Sequence, residues 1–509
     1  MSRPAASLLN RTARGAGWVI GFRMVTRLLG IVSTLTLVRL LGPGDFGLVA
    51  LATSFTSAVD ALSNLSVHEA IIRERAPDRA MYDTAFTMNL LRGLLTTLLI
   101  AAAAWPVAGF FHEPRLVSVM LVLALANLVV SVENIATADF MRDFAFNREF
   151  RLWTIPRLVQ VVATIGFALI WHSYWALAFG IMTSRLVRTT LSYIMRPYRP
   201  RLTLAAWRRI TGFTSWSWAI SIVQILRSRS DTMLIGRLFS PAMVGIYALG
   251  GEIASLPTTE LVEPLCRACF PAFSELRNTG QPVAATYLRL VAASALIVLP
   301  AGVGIAAVAD PLVRLAFGAN WLGAIPLIQI FGVTATLGII GNLSGVLFSA
   351  WGQLRTIFAI SVVMGLLRLG LLIGFVPGGT LVTAALTGTV AGTAEQGAYL
   401  VLTLRRFGVG AWPLLVAVHR SLLGTAAMAG AMWWFGLGFV AVPERLAVHL
   451  VQQVAAGAAL YAAAMAALWL LAGRPDGPEQ DLLGTLAGMA RRIGGVVSRR
   501  WRQANAASG

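Results

Sequence analysis

Lysine is missing from the chain: all 41 basic residues are arginine, set against only 22 acidic residues. Charge of either sign is scarce, at 12% of 509 residues, while 57% are hydrophobic and the mean hydropathy is +0.73. So little polar surface cannot solvate a soluble globule of this length. Cysteine is almost absent as well, with Cys266 and Cys269 alone, which excludes a disulfide scaffold. Their Cys-Arg-Ala-Cys spacing has no second pair and no neighbouring histidine, so two packing residues are expected rather than a redox or zinc site. His68, His112, His172, His419 and His449 are scattered, and neither a metal nor a cofactor is expected. No glycine-rich phosphate loop is present, which argues against direct ATP use.

What the chain does have is apolar stretches, almost end to end. A membrane-crossing helix needs about 20 such residues. Candidate spans fall at 16–41, 44–66, 84–110, 117–137, 156–171, 175–195, 212–238, 243–263, 284–308, 323–350, 356–376, 380–402, 413–440 and 446–472, about fourteen in all. Backbone groups in lipid must be satisfied internally, and the runs lack strand alternation, so the fold class is all-α integral membrane.

Twenty-eight of the arginines fall in alternate gaps between spans, the 185–210 gap and the 473–509 tail holding the most, while Arg115, Arg314 and Arg445 alone occupy the opposite gaps. By the positive-inside rule both termini are cytoplasmic. The topology explains the +19 charge without nucleic acid, because arginines that punctuate spans sit beside anionic lipid headgroups. No removable signal peptide is expected at the N-terminus. The longest outer gap is Ala309–Leu322, with only Asp310 and Arg314 as ionisable groups, which does not suit a catalytic loop. The chain therefore reads as a non-enzyme.

Arg39-Leu-Leu-Gly-Pro-Gly-Asp-Phe-Gly-Leu-Val-Ala-Leu51 aligns without gaps on Arg237-Leu-Phe-Ser-Pro-Ala-Met-Val-Gly-Ile-Tyr-Ala-Leu249, with six of thirteen positions identical. Both copies link a polar-interrupted span to the next through a Pro-containing turn. This predicts two parallel-repeat six-helix lobes, residues 1–195 and 211–405, joined by a basic cytoplasmic linker at 196–210. Accessory spans occupy 406–472, and a basic amphipathic tail over 473–509 lies along the inner leaflet.

Charges inside spans need a partner, a cavity or an interface. In the first span Arg23, Arg27, Gly30 and Thr34 share a helical face, as do Thr53, Ser57, Asp60 and Asn64 in the second. The seventh carries Ser217, Ser221, Gln224, Ser228 and Asp231, with Arg227 and Arg229 nearby, and the eighth carries Glu252. Brought together, these seams would form a hydrated cavity lined by Arg23, Arg27, Thr34, Asp60, Asn64, Gln224, Arg227, Arg229, Asp231 and Glu252. Arg227 and Asp231 are also spaced for an ion pair within one helix, so a structural role for them stays open. Arg39 and Arg237 are expected to snorkel at the outer ends, and Arg92, Arg289 and Arg420 at the inner ends. Arg368 and Glu395 could pair with each other. An arginine-lined cavity suits a phosphate-bearing substrate, since guanidinium stays charged and presents a fork to phosphate oxygens.

The run Val38-Arg39-Leu-Leu-Gly-Pro-Gly-Asp-Phe-Gly47, with Asp60-Ala-Leu-Ser-Asn64, Glu69-Ala-Ile-Ile-Arg73 and Met141-Arg-Asp-Phe-Ala-Phe-Asn-Arg148, resembles bacterial polysaccharide flippases of the multidrug/oligosaccharidyl-lipid/polysaccharide exporter superfamily. The resemblance covers roughly residues 10–250. It implies a V-shaped two-lobed bundle in the bacterial inner membrane that moves an undecaprenyl-diphosphate-linked oligosaccharide outward by alternating access. It also implies a cationic cavity at Arg23 and Arg27, and more loosely at Arg227 and Arg229, with a polysaccharide polymerase and co-assembly proteins as partners. Asp60, Asp231 and Glu252 are the coupling-ion candidates. The alternatives are a drug/cation antiporter of the same superfamily, a cell-wall lipid precursor flippase, and a membrane glycan polymerase or ligase.

Overall fold

The structure, a computed structural model, describes residues 26, 29–63, 67–74, 77–143, 145–211, 223, 229–438 and 446–473. All regular elements among the described residues are helical. The first part of the chain contains α1 (Leu29–Leu40), α2 (Pro43–Ser63), α3 (Val67–Arg73), α4 (Arg79–Phe111), α5 (Arg115–Ser131), α6 (Ala138–Arg142), α7 (Phe146–Trp171), α8 (Trp175–Met195) and α9 (Trp207–Thr211). Then follow α10 (229–238), α11 (Pro241–Ala254), α12 (Glu263–Thr279), α13 (Ala284–Ala307) and α14 (Ala309–Ala316). The remainder is α15 (Ala324–Ala335), α16 (Gly338–Ala350), α17 (Leu354–Phe375), α18 (Leu381–Phe407), α19 (Ala411–Trp434) and α20 (Leu446–Leu471).

Among the described residues, seven helices are long and apolar enough to cross a membrane, and nine if each of two bent pairs counts as one span. The difference from fourteen has physical causes. Much of the first and seventh candidate spans lies outside the described residues, and α8 and α18 are long enough but diluted by arginine, threonine and glycine. Two expected spans are broken: α5 and the segment Ile135–Arg142 meet at 65°, and α15 and α16 at 44°. Arg185 and Arg188, counted above with a cytoplasmic gap, lie within α8.

Helix ends follow local chemistry. Asp78 caps α4 by accepting from the Met81 amide at 3.1 Å, which starts that helix before the expected residue 84. Both copies of the repeated turn begin a helix at the equivalent proline, Pro43 of α2 and Pro241 of α11, where a missing N–H leaves nothing unsatisfied.

Contacts divide the chain into two compact units: Met1–Gly250 with Val313–Ala324 and Ser361–Ala391, and Gly251–Leu312 with Ile325–Ile360 and Gly392–Gly509. In the first, α7 packs on α8, and α4 and α2 pack on α5. In the second, α13 packs on α19, α19 on α20, and α12 on α16. The core of the second unit holds the buried thiols of Cys266 and Cys269, which form no disulfide, beside Phe273, Tyr287 and Leu343. Beside them the Ser344 hydroxyl meets those of Tyr287 and Thr403 at 2.9 Å each. An apolar cavity of about 740 Å³ lies between α13, α19 and α20, lined by Leu296, Ile297, Met428, Val454 and Trp469.

Candidate functional site

The polar interior of the first unit begins at the break after α5. Bending a helix by 65° strands its last carbonyls, and the chain answers from two neighbouring helices. Asn89 of α4 donates to the Ser131 carbonyl at 3.0 Å, Thr189 of α8 to Val129 at 3.0 Å, and Tyr193 to Val132 at 2.9 Å. Asn134 caps the next turn at the Ala136 amide, 3.0 Å away. The break also turns the buried Glu133 toward α8, where it accepts from Arg188 Nε at 3.0 Å. The Arg188 guanidinium lies over the Trp153 ring of α7, 3.7 Å from its centre.

One turn further, α4 carries Arg92, which donates to Asn89 at 3.2 Å and to Asp60 of α2 at 2.9 Å. Arg185, half-buried on α8, lies within electrostatic range of both Asp60 and Arg188. Among the described residues, Arg92, Arg185 and Arg188 thus meet two carboxylates, Asp60 and Glu133. The two anions differ in setting: the Glu133 side chain is 4% exposed, that of Asp60 49%. Half of the Asp60 side chain is thus accessible beside a covered Arg92.

Asp231 behaves oppositely. On α10 and 6% exposed, it takes both edges of the Arg368 fork from α17, with Arg368 Nε at 2.7 Å, and accepts the Tyr247 hydroxyl of α11 at 2.8 Å. Every face of the carboxylate is engaged by donors, and removing one member of such a buried pair costs about 3–5 kcal/mol. This is a permanent clasp.

The repeated turn forms a third feature. Gly47 of α2 lies against the Pro241 carbonyl, and Gly245 of α11 against the Pro43 carbonyl, so closely that a Cβ on either would overlap backbone. Around them Asp45 accepts from the Gly42 amide at 3.2 Å and the Tyr174 amide at 2.9 Å. Trp321 donates to the Val38 carbonyl at 3.1 Å and meets Phe46 edge to face. Arg39 donates to the carbonyls of Leu315 and Ala316, and Arg237 meets the His112 ring nitrogen at 3.1 Å. Both arginines were expected to snorkel; they instead fasten turns.

On the side of the α4 N-terminus, the segment 197–206 is strapped to that helix. Asp83 accepts the Tyr198 hydroxyl and the Arg201 amide, the latter at 3.0 Å, while Thr87 and Thr84 accept the amides of Thr203 and Ala206 at 3.0 and 3.1 Å. Asp139 pairs with Arg142 and Arg196 at 2.8 and 2.6 Å and accepts from Tyr82.

Of the residues singled out from the sequence, Arg23, Arg27, Asn64, Gln224 and Arg227 lie outside the described residues. Thr34 and Arg229 are half-buried on α1 and α10, and Glu252 is exposed on α11. Asp60 and Asp231 each meet their own arginine, Arg92 and Arg368. Arg368, paired with Glu395 in the sequence reading, grips Asp231, and Arg92 meets a carboxylate rather than headgroups. Arg185 and Arg188 escaped notice because their neighbours in sequence, Arg196 to Arg209, made them look like loop residues. Their three-residue spacing within an apolar run was the available signal.

Residues 36–326 match the family model described as polysaccharide biosynthesis protein. The chain is 25% identical over 360 residues to the lipopolysaccharide biosynthesis protein WzxC of Escherichia coli (strain K12), covering 70% of this chain and 73% of that one. It is 21% identical over 324 residues to the succinoglycan biosynthesis transport protein ExoT of Rhizobium meliloti (strain 1021), covering 63% and 65%. In fold it is similar to the lipid II flippase MurJ in an inward closed conformation, with a TM-score of 0.73 at 12% identity over 88% of this chain and 99% of that one.

Proposed function

The chain belongs to the polysaccharide biosynthesis protein family, and we propose that it carries an undecaprenyl-diphosphate-linked oligosaccharide from the inner to the outer leaflet of a bacterial inner membrane by alternating access. It is a multi-pass membrane transporter of polysaccharide biosynthesis. The observation that supports this substrate is the cluster of Arg92, Arg185 and Arg188 on α4 and α8 of the first unit, in excess over Asp60 and Glu133 among the described residues. Unbalanced guanidinium charge inside a membrane protein is expensive unless an anion visits it, and a diphosphate supplies several oxygens to planar forks. Arg23 and Arg27, which lie outside the described residues, are proposed as further substrate-binding arginines.

The prenyl chain needs the opposite environment and in this reading stays among the lipid acyl chains. In this reading the two six-helix lobes rock about the site, both termini are cytoplasmic, and the protein performs no covalent chemistry. The export partners are a polymerase and its co-assembly proteins.

The test is polymer export in a strain lacking the native copy. Arg92→Gln and Arg188→Gln should each reduce surface or secreted polysaccharide at least about tenfold, equivalent to about 1.4 kcal/mol at the transition state, with the protein still present in the membrane. Export at the original level from both variants would remove the site.

A further inference from the structure

Asp60 stands in the middle of the proposed anion site and yet is an anion itself. It is bound to Arg92 at 2.9 Å, is within electrostatic range of Arg185, and keeps 49% of its side chain exposed. A residue placed only to neutralise Arg92 would be buried with it, as Asp231 is with Arg368 at 8% and 23% side-chain exposure. Arg92 is well covered, at 14%, and is already oriented by Asn89. The guanidinium is thus pre-set, while half of its partner's side chain stays accessible.

We propose that the Asp60 carboxylate is a placeholder for the substrate's diphosphate: it occupies the Arg92 fork when the site is empty and yields it to the entering headgroup. The proposal rests on the lipid-linked diphosphate reading above. One carboxylate can satisfy one fork, whereas a diphosphate has enough oxygens and charge to engage Arg92 and Arg185 together. The exchange substitutes one anion for another, so Arg92 is never left bare in a low-dielectric interior. It also favours release, because the returning carboxylate competes with the departing headgroup. Asp60 is therefore a specificity residue acting through Arg92: a ligand must carry more negative charge than the aspartate it displaces.

The experiment uses the full chain in nanodiscs of phosphatidylcholine, with farnesyl diphosphate as probe and farnesol as the phosphate-free control. Asp60→Asn should tighten farnesyl diphosphate binding about tenfold and leave farnesol unchanged, while Asp60→Glu keeps the original affinity and checks folding. Arg92→Gln should weaken binding, and adding Asp60→Asn to it should restore nothing, since the carboxylate competes only through that arginine. Inorganic pyrophosphate should compete for the probe in wild-type protein and more strongly in Asp60→Asn.

Unchanged or weaker binding in Asp60→Asn, with Arg92→Gln still defective, would overturn the placeholder and leave the transport reading intact. Absence of farnesyl diphosphate binding in wild-type protein would overturn both. Displacement of the probe by phosphatidylglycerol as readily as by pyrophosphate would assign the cluster to bulk anionic lipid, and the placeholder would fall with it.

Discussion

Gly47 and Gly245 occupy equivalent positions of the repeated turn, and each lies against the carbonyl of the other copy's proline, Gly47 on Pro241 and Gly245 on Pro43. The contact is reciprocal, as expected when two copies of one segment pack about a local two-fold axis. Glycine is required here because the obstacle on both sides is backbone, which cannot rotate away.

Gly47→Ala or Gly245→Ala should therefore separate α2 from α11 at this end. Overpacking of this kind costs about 1–3 kcal/mol. The expected result is a lower melting temperature in detergent for each variant, and a loss in the double variant smaller than the sum, because the first separation makes room for the second methyl. Unaltered melting in both single variants would show that the approach is not needed.

Arg368→Ala should destabilise the protein by about 3–5 kcal/mol, because it strands Asp231 in a dry setting. Tyr247→Phe removes one donor to the same carboxylate and should cost about 1–3 kcal/mol. Replacing both charges, as in Asp231→Asn with Arg368→Gln, should recover part of the loss. Thermal denaturation of the purified variants measures all three, and a fully additive double variant would contradict the pairing.

Arg188 holds Glu133 and covers Trp153 with the flat face of its guanidinium. Lysine can satisfy the charge but cannot combine the fork and the stack. Arg188→Lys should accordingly fail to restore export, falling within about threefold of Arg188→Gln, roughly 0.6 kcal/mol apart. Full export with lysine would reduce the residue to a point charge.

Burial, together with the hydrogen bond to Asp83, pushes the Tyr198 phenol above its ordinary range. A folded-state value raised above the unfolded one means the contribution is fully present below the unfolded value of about 10 and is lost only as pH rises through the higher folded value. Proteolysis within 197–206 should thus be insensitive to pH between about 6 and 9. Tyr198→Phe should accelerate it across that whole range. A cleavage rate that climbs between neutral and mildly alkaline pH in the unaltered protein would refute the assignment.

Much of the architecture was legible because burial in lipid imposes a coarse rule on sequence. The span at 175–195 matches α8 at both ends, and the repeated turn starts helices at Pro43 and Pro241. The 65° break after Ser131 was not legible, since no proline or glycine marks it; it is held by Asn89, Thr189 and Tyr193 from distant positions. The same limit applies to charge. Helical phase placed Asp60 and Asp231 on polar faces but could not tell which arginine each would meet. Asp60 found Arg92 across 32 residues and Asp231 found Arg368 across 137, both beyond what periodicity can reach.

The separation of Asp231 from Arg368 also bears on how the protein is made. Ribosomes add about 5–20 residues each second, so roughly 7–27 s pass between synthesis of the carboxylate and that of its guanidinium. Throughout that interval the acid of α10 lacks the guanidinium that clasps it in the finished fold. A nascent chain interrupted before α17 would present an orphan acid to the bilayer, a ready mark for quality-control proteases and a reason why truncated copies should not accumulate.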